Sequence, residues 1–165
     1  MAQGSTNEAW LRVAVGGDIP ALAVFHRKMF EEIWQASGIA AAPGAMQAVE
    51  EEYGRKLSRE LADGSCTAWV VEEDGRVVAG GAVSTVSYVP VPHDPACTMA
   101  FLHSVYTETG SRHHGYARMI TDEAVRFCKS RGIKRLYLFA SEAGRPVYEK
   151  SGFGPVPNMM QKYIL

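Results

Sequence analysis

Apolar positions along the chain switch between two spacings, and the switches divide it into elements. Trp10, Leu11, Val13 and Val15 make a short apolar run that ends at Gly16-Gly17 and predicts a strand after a polar, frayed start. Asp18 then stands as a helix N-cap with Pro20 in the first turn. Ile19, Leu22, Ala23, His26, Met29, Phe30 and Ile33 recur at helical spacing to about Gln35. On that face His26 reads as a packed or half-buried residue. Ser37 to Gly44 is a small-residue loop, after which Met46, Val49, Tyr53, Leu57 and Leu61 predict a second helix ending before Gly64 and weakened at Gly54. The cluster Glu50, Glu51, Glu52 reads as a solvated face of that helix.

Strand-like spacing takes over at Thr67 to Glu72. Asp74-Gly75 is a two-residue hairpin signal, Val77 to Tyr88 is the returning strand, and Gly80-Gly81 marks a bulge or a close backbone approach. Pro90, Pro92 and Pro95 impose an extended loop before a strand that begins near Thr98. Ala117, Ile120, Thr121, Ala124, Phe127 and Cys128 line one face of a third helix, closed by Lys129, Arg131 and Gly132. Arg135 to Ala140 predicts a short strand, Pro146 the first turn of a brief helix ending at Ser151-Gly152, and Met159 to Leu165 a last strand after Pro155 and Pro157. The order is strand, two helices, two or three antiparallel strands, strand, helix, strand, helix, strand. That is a mixed α/β arrangement and not a regular βαβ array.

Composition narrows the class. A chain of 165 residues fits one domain over its whole length. Its 17 Lys and Arg nearly balance 18 Asp and Glu, so nothing in the overall charge points to nucleic acid or an anionic membrane. Any anion site has to be local. Cys66, Cys97 and Cys128 are odd in number and scattered, which argues against a disulfide framework and against zinc, and is consistent with a reducing cytoplasm. The start MAQGSTNEAW lacks the basic residues and long apolar run of a secretion signal, and no segment reaches membrane-spanning length.

The local anion site is sought in Phe101 to Ala117, FLHSVYTETGSRHHGYA. A β-like segment to Thr107 runs into a turn of Thr, Gly and Ser, and then into Arg112, His113, His114 and Gly115 at the mouth of the third helix. Strand, turn and helix with small residues at the mouth is the geometry that turns unpaired main-chain N–H groups toward an anion. Two phosphate loops are near misses. Gly110 and Gly115 have the spacing of a nucleotide P-loop, but Tyr116 and Ala117 stand where Lys and Ser/Thr are needed. The dinucleotide pattern with three glycines is absent too, which disfavours a nicotinamide enzyme. His113 and His114 have no third ligand nearby, so a metal is not expected.

The pattern that fits is Arg112-x-x-Gly115-x-Ala117, and with it the sequence resembles the GNAT superfamily of acyl-CoA-dependent N-acyltransferases, whose signature is Arg/Gln-x-x-Gly-x-Gly/Ala. Val105-Tyr106-Thr107 is similar to the end of the family's fourth strand. Ala140 to Phe153, ASEAGRPVYEKSGF, resembles its late segment Ala-Thr-x-x-Gly-x-x-Leu-Tyr-Glu-Lys-x-Gly-Phe. These motifs cover the second half of the chain; the first half matches in element order only. The resemblance implies a mostly antiparallel mixed sheet, splayed between its fourth and fifth strands and flanked by helices. It implies transfer of an acetyl group from acetyl-CoA to a primary amine by direct attack, with no covalent enzyme intermediate.

Residue roles follow from the same resemblance. The main-chain N–H groups of Arg112, His113, His114, Gly115, Tyr116 and Ala117 would cradle the pyrophosphate of coenzyme A. Val105, Tyr106 and Thr107 would bond the pantetheine arm, with the N–H of Val105 or Tyr106 facing the thioester carbonyl. Tyr148 would protonate the leaving thiolate. Ser141 stands where many relatives carry an Asn that bonds the pantetheine arm, a shorter side chain with one donor.

The general base stays open between Glu108 at the strand end and His103, each also readable as an ordinary surface carboxylate and strand histidine. Phe30, Trp34, Tyr53, His93 and Asp94 are candidates for the wall around a small-molecule or peptide amine. A homodimer is compatible with the sequence. The competing reading is a non-catalytic acyl-CoA-binding sensor or interaction module, against which Tyr148 argues; a nucleotide-binding enzyme comes third.

Overall fold

A computed structural model of the chain describes residues 8–164. The frayed start expected before Glu8 and the final residue of the expected last strand lie outside them. Strand β1 (Ala9–Val13) leads through a short 3-10 turn into α1 (Ile19–Ala36) and α2 (Ala45–Asp63). Strands β2 (Cys66–Glu73), β3 (Arg76–Ser87) and β4 (Thr98–Thr107) follow, then α3 (Tyr116–Ser130), the two-residue β5 (Leu136–Tyr137) and α4 (Arg145–Lys150). The sheet order is β1-β2-β3-β4-β5, with antiparallel pairs throughout except the parallel β4–β5.

Helices cover both faces. Leu22, Ala23 and Phe25 of α1 with Tyr53 and Leu57 of α2 pack on Ala68, Val70, Ala82 and Tyr106. On the other face Tyr116, Ile120, Ala124 and Cys128 of α3 pack on Trp69, Val71, Val83, Ala100 and Leu102. The middle of β2 and β3 is therefore buried on both sides, and it reads as near-continuous apolar sequence instead of strict alternation.

Local chemistry explains the turns. Asp74 and Gly75 both take positive φ, at 50° and 75°, in the two-residue hairpin between Glu73 and Arg76. Gly80 and Gly81 lie where helices approach from opposite faces. A Cβ at Gly80 would overlap Leu22 of α1, and one at Gly81 would sit 2.8 Å from Cγ2 of Ile120 in α3. Opposite Gly81 the ladder slips. Ala82 pairs with His103 and Gly80 with Tyr106, so Ser104 and Val105 face a single residue and Ser104 takes φ 57°. That bulge bends β4 just where it parts from β5, whose pairing is confined to Ala100 and Phe101.

Four expectations change. Asp18 occupies the N-cap of α1 but makes no side-chain cap there; its carboxylate accepts from the Val15 N–H at 2.8 Å and pairs with Arg12 at 2.7 Å. The strand expected over Arg135 to Ala140 is paired over only two residues. Residues 159–164 form no strand and pair with none among the described residues, and an extended segment without a ladder partner is not a strand. Asp94, expected near a substrate, is instead buried under Arg135 at 2.7 Å, where the guanidinium also donates to the Val89 and Ala96 carbonyls. Burial works against that charge, but the Arg135 contact and the Ala96 N–H outweigh it and hold Asp94 below its ordinary carboxyl value. The pair pins the proline-rich loop to the start of β5.

Candidate functional site

The mouth of α3 is built from backbone. After Thr107 a 3-10 turn (Thr109–Ser111) leads to His113 and Gly115, both in the left-handed region with φ 67° and 82°. Gly115 is the helix N-cap, where no side chain caps the first turn. The main-chain N–H groups from Arg112 to Arg118 donate no hydrogen bond among the described residues. Alternating left- and right-handed residues make a concave row of such donors, and the helix dipole adds favourable potential for an anion. No Cβ contact arises at Gly110 or Gly115, so the approach to this backbone is open. This row of unsatisfied donors fits a diphosphate.

Side chains around the mouth hold it in place and leave its N–H groups exposed. Ser111 and Tyr116 donate to the buried carboxylate of Glu73, each at 2.9 Å, tying the loop to the end of β2. Tyr116 is thus a core residue, and only its main chain faces the mouth. Arg112 is held by a forked contact to both Glu32 oxygens at 2.8 Å, a bond to the Thr107 carbonyl at 3.0 Å, and the Tyr106 ring. Tyr106 donates to the same Glu32 at 2.9 Å. His114 approaches the Ser111 carbonyl at 3.0 Å and stacks on Tyr116, while His113 is exposed.

At the β4 bulge a polar network crosses the otherwise apolar face under α1 and α2. Ser104 Oγ lies 2.8 Å from Nδ1 of His26 and 3.1 Å from Nδ1 of His103. His103 Nδ1 also meets the Tyr53 hydroxyl at 3.2 Å, and its Nε2 meets Ser84 Oγ at 2.9 Å. Ser84 in turn reaches the Lys56–Glu60 ion pair on α2. His26 stacks on Tyr53 with ring centroids 4.0 Å apart. Burial pushes His26 down to about 4, and burial with the nearby Lys56 and His26 does the same to His103, so both rings are neutral at pH 7. His26, read from sequence as packing, is part of this network; only the absence of an apolar side chain at a helix-face position signalled it. Ser104, Ser84 and Lys56 carried no signal, because the bulge that gathers them is a tertiary feature.

Glu108 lies past the strand end, its carboxylate 2.7 Å from Nζ of Lys28 and its N–H bonded to the Val78 carbonyl. It is not brought to the bulge network. Val105 packs on the α3 face, and Thr107 has a buried hydroxyl with no hydrogen-bond partner.

Tyr148 on α4 packs beside Leu136, Leu138 and Cys128. It lines a cleft of about 920 Å³ that also takes in Phe101, Phe139 and Ala140. Burial pushes its phenol above the ordinary value, and its hydroxyl makes no hydrogen bond among the described residues. Ser141 Oγ accepts the Gly144 N–H at 3.1 Å and so shapes the turn into α4. Of the wall candidates, Phe30 meets His26 edge-on, Trp34 is half-buried, Tyr53 belongs to the network and His93 is exposed.

Comparison with known proteins gives this arrangement its context. Over residues 26–153 the chain matches the model of the Acetyltransferase (GNAT) family. Among solved structures it is similar to a predicted acetyltransferase from Clostridium acetobutylicum, solved with acetyl-CoA. That likeness has a TM-score of 0.83 and 26% identity, and covers 94% of this chain and 96% of that one. A GCN5-related N-acetyltransferase from Ralstonia eutropha JMP134 has the same TM-score, 0.83, at 24% identity over 94% and 99% of the two chains. Glucosamine-6-phosphate N-acetyltransferase from Arabidopsis thaliana shares the fold at 20% identity, with a TM-score of 0.62 and coverage of 94% and 98%. No curated protein sequence matches the chain. Since the family match runs from His26 through the helix mouth to Phe153, more than half of the chain, this protein belongs to the GNAT family of acetyltransferases, whose acetyl donor is acetyl-CoA.

Proposed function

We propose that this protein transfers an acetyl group from acetyl-CoA to a primary amine. The observation that carries the reading is the row of unsatisfied N–H groups from Arg112 to Arg118 at the mouth of α3. It offers a diphosphate several donors and a helix N-terminus at once. When bound, acetyl-CoA supplies a thioester carbonyl that the amine attacks directly, through a tetrahedral intermediate.

The chain's own residues would do four things. Arg112 to Ala117 hold the pyrophosphate through main-chain N–H groups, with Arg112 itself fixed by Glu32 so that the loop is preorganised. The β4 edge from Val105 to Thr107, freed by the splay, bonds the pantetheine arm, and an N–H of Val105 or Tyr106 stabilises charge on the carbonyl oxygen. Tyr148, protonated and without a competing partner, gives its proton to the leaving sulfur. The acceptor amine must lose a proton at the bulge. We infer that it leaves along Ser104, His26 and His103 toward Ser84 and the Lys56–Glu60 pair, since this network begins at the bulge and Glu108 lies beyond it. His113 and His114 flank the pyrophosphate site, and Ser141 orders the turn that presents Tyr148.

The test is a panel of amines, from amino sugars and polyamines to peptide N-termini, incubated with acetyl-CoA and assayed for free coenzyme A thiol. Amine-dependent thiol release is expected for at least one class. Binding of acetyl-CoA with no release across the panel would favour a non-catalytic acyl-CoA sensor.

A further inference from the structure

Side chains alternate along β2, and Trp69, Val71 and Glu73 share the face that packs under α3. An apolar residue at position 73 would complete that row, yet the position holds a carboxylate that is only 8% exposed. Taking a carboxylate out of water is costly unless hydrogen bonds are made to it. Here one loop supplies two of them: Ser111 Oγ donates to Oε2 and the Tyr116 hydroxyl to Oε1, each at 2.9 Å. Burial first, and the Glu73 carboxylate second, hold the Tyr116 phenol above its ordinary value, so the proton stays on the tyrosine oxygen.

These two donors bracket the row of main-chain N–H groups. Ser111 ends the 3-10 turn just before Arg112, and Tyr116 is the first residue of α3. Both left-handed residues of the mouth, His113 and Gly115, fall between them. For His113 that conformation is uncommon, and it persists only where the surroundings dictate it. The surroundings are rigid at this point. A planar carboxylate holds its two guests at a fixed separation, and Glu73 itself is paired on both sides, with Ala9 of β1 and Arg76 of β3. The Arg112–Glu32 pair grips the same loop from α1, but its side chains are 35% and 45% exposed, where water screens the attraction. The buried clamp is the stronger constraint.

We propose that Glu73 is a positioning residue for the cofactor: by holding Ser111 and Tyr116 from beneath, its carboxylate sets the left-handed turn that aims the N–H groups of Arg112 to Ala117 at the diphosphate of acetyl-CoA. The inference rests on the reading of that mouth as the diphosphate site. It ties Glu73 to the diphosphate alone. The pantetheine arm is assigned to β4, so its binding is expected to be independent of the clamp.

The test compares coenzyme A with pantetheine, which lacks the diphosphate and the nucleotide. Each is titrated into isotope-labelled protein, and its dissociation constant is read from amide NMR shifts. Wild-type protein is expected to prefer coenzyme A, with large shifts at the amides of residues 112–118. The variant Glu73→Met with Ser111→Ala and Tyr116→Phe removes the carboxylate and both hydroxyls together, which leaves neither hydroxyl buried without its acceptor. Its amide spectrum is expected to keep the dispersion of the folded protein. Its affinity for coenzyme A is expected to fall by about 10-fold or more, the scale of a lost preorganised geometry, while that for pantetheine stays nearly unchanged. Tyr116→Phe alone, which loses one oxygen atom, is expected to show the same selectivity in smaller measure. Coenzyme A bound equally well by wild-type protein and the triple variant would overturn the proposal. So would a parallel loss of both ligands, the result of a general loosening of the fold. A wild-type protein with no preference for coenzyme A over pantetheine would strike the diphosphate reading itself, and the proposal with it.

Discussion

In the proposed mechanism Tyr148 holds a proton until the sulfur needs it. Burial raises its pKa, so the phenol is neutral at working pH, and its hydroxyl makes no hydrogen bond among the described residues. Tyr148→Phe keeps the ring that packs on Leu136 and Cys128 and removes only the donor. Turnover is expected to fall by roughly 100-fold, the scale of a lost general acid, with the dissociation constant of acetyl-CoA nearly unchanged. Equal turnover with a good amine would remove Tyr148 from the chemistry. His103 gives a second, independent check. Its folded pKa is about 4 against 6.5 for a free histidine, so the unfolded chain binds a proton more readily between those values. The stability this contributes is full above about 6.5 and is lost as pH falls toward 4, by on the order of 3 kcal/mol. His26, Lys56, Glu60 and Tyr53 surround the ring, so the measurement is a difference. His103→Gln is expected to flatten the acid limb of a denaturation series. An unchanged acid limb would mean that His103 is not held neutral. At this scale the sequence was least legible. The Arg112-x-x-Gly115-x-Ala117 pattern and Tyr148 could be picked out, but the network at Ser104 could not, because residues from α1, α2, β3 and β4 converge only once the bulge forms.

Elements were far more legible, because their periodicity is local. The apolar faces of α1, α2 and α3, the Asp74-Gly75 hairpin and the Gly80-Gly81 approach all follow from spacing or from a backbone that only small residues allow. Of the strand expected over Met159 to Leu165, the described residues 159–164 form none: composition can favour an extended segment, but a strand also needs a ladder partner, and residues 159–164 pair with no strand among the described residues. Two glycines of opposite function test the reading of the elements. Gly54 lies inside α2 with Ala23 Cβ at an ordinary 3.8 Å, so Gly54→Ala is expected to stabilise by about 0.5–1 kcal/mol. At Gly81 the new methyl would press on buried Ile120 and on half-buried Val105, so Gly81→Ala is expected to destabilise by roughly 1–3 kcal/mol. Urea denaturation of both variants checks the two signs. A stable Gly81→Ala protein would mean that the contact between β3 and α3 is looser than described.

The whole molecule unites two surfaces of one bent strand. From Phe101 onward β4 leaves β5 and runs on to the turn that opens the mouth of α3, while its face toward α1 and α2 carries the histidine network. Family membership fixes the donor as acetyl-CoA, and the acceptor amine is left to the panel assay. The claim on which the site rests is that the helix mouth holds a diphosphate, and isothermal titration with acetyl-CoA tests it most directly. A saturable, one-to-one isotherm is expected, with a dissociation constant between about 1 μM and 1 mM, the common range for enzyme substrates. Binding is expected to weaken in Gly115→Val, which places a branched side chain at φ 82° in the middle of the donor row. Absence of heat with both acetyl-CoA and coenzyme A at millimolar concentration would contradict the account.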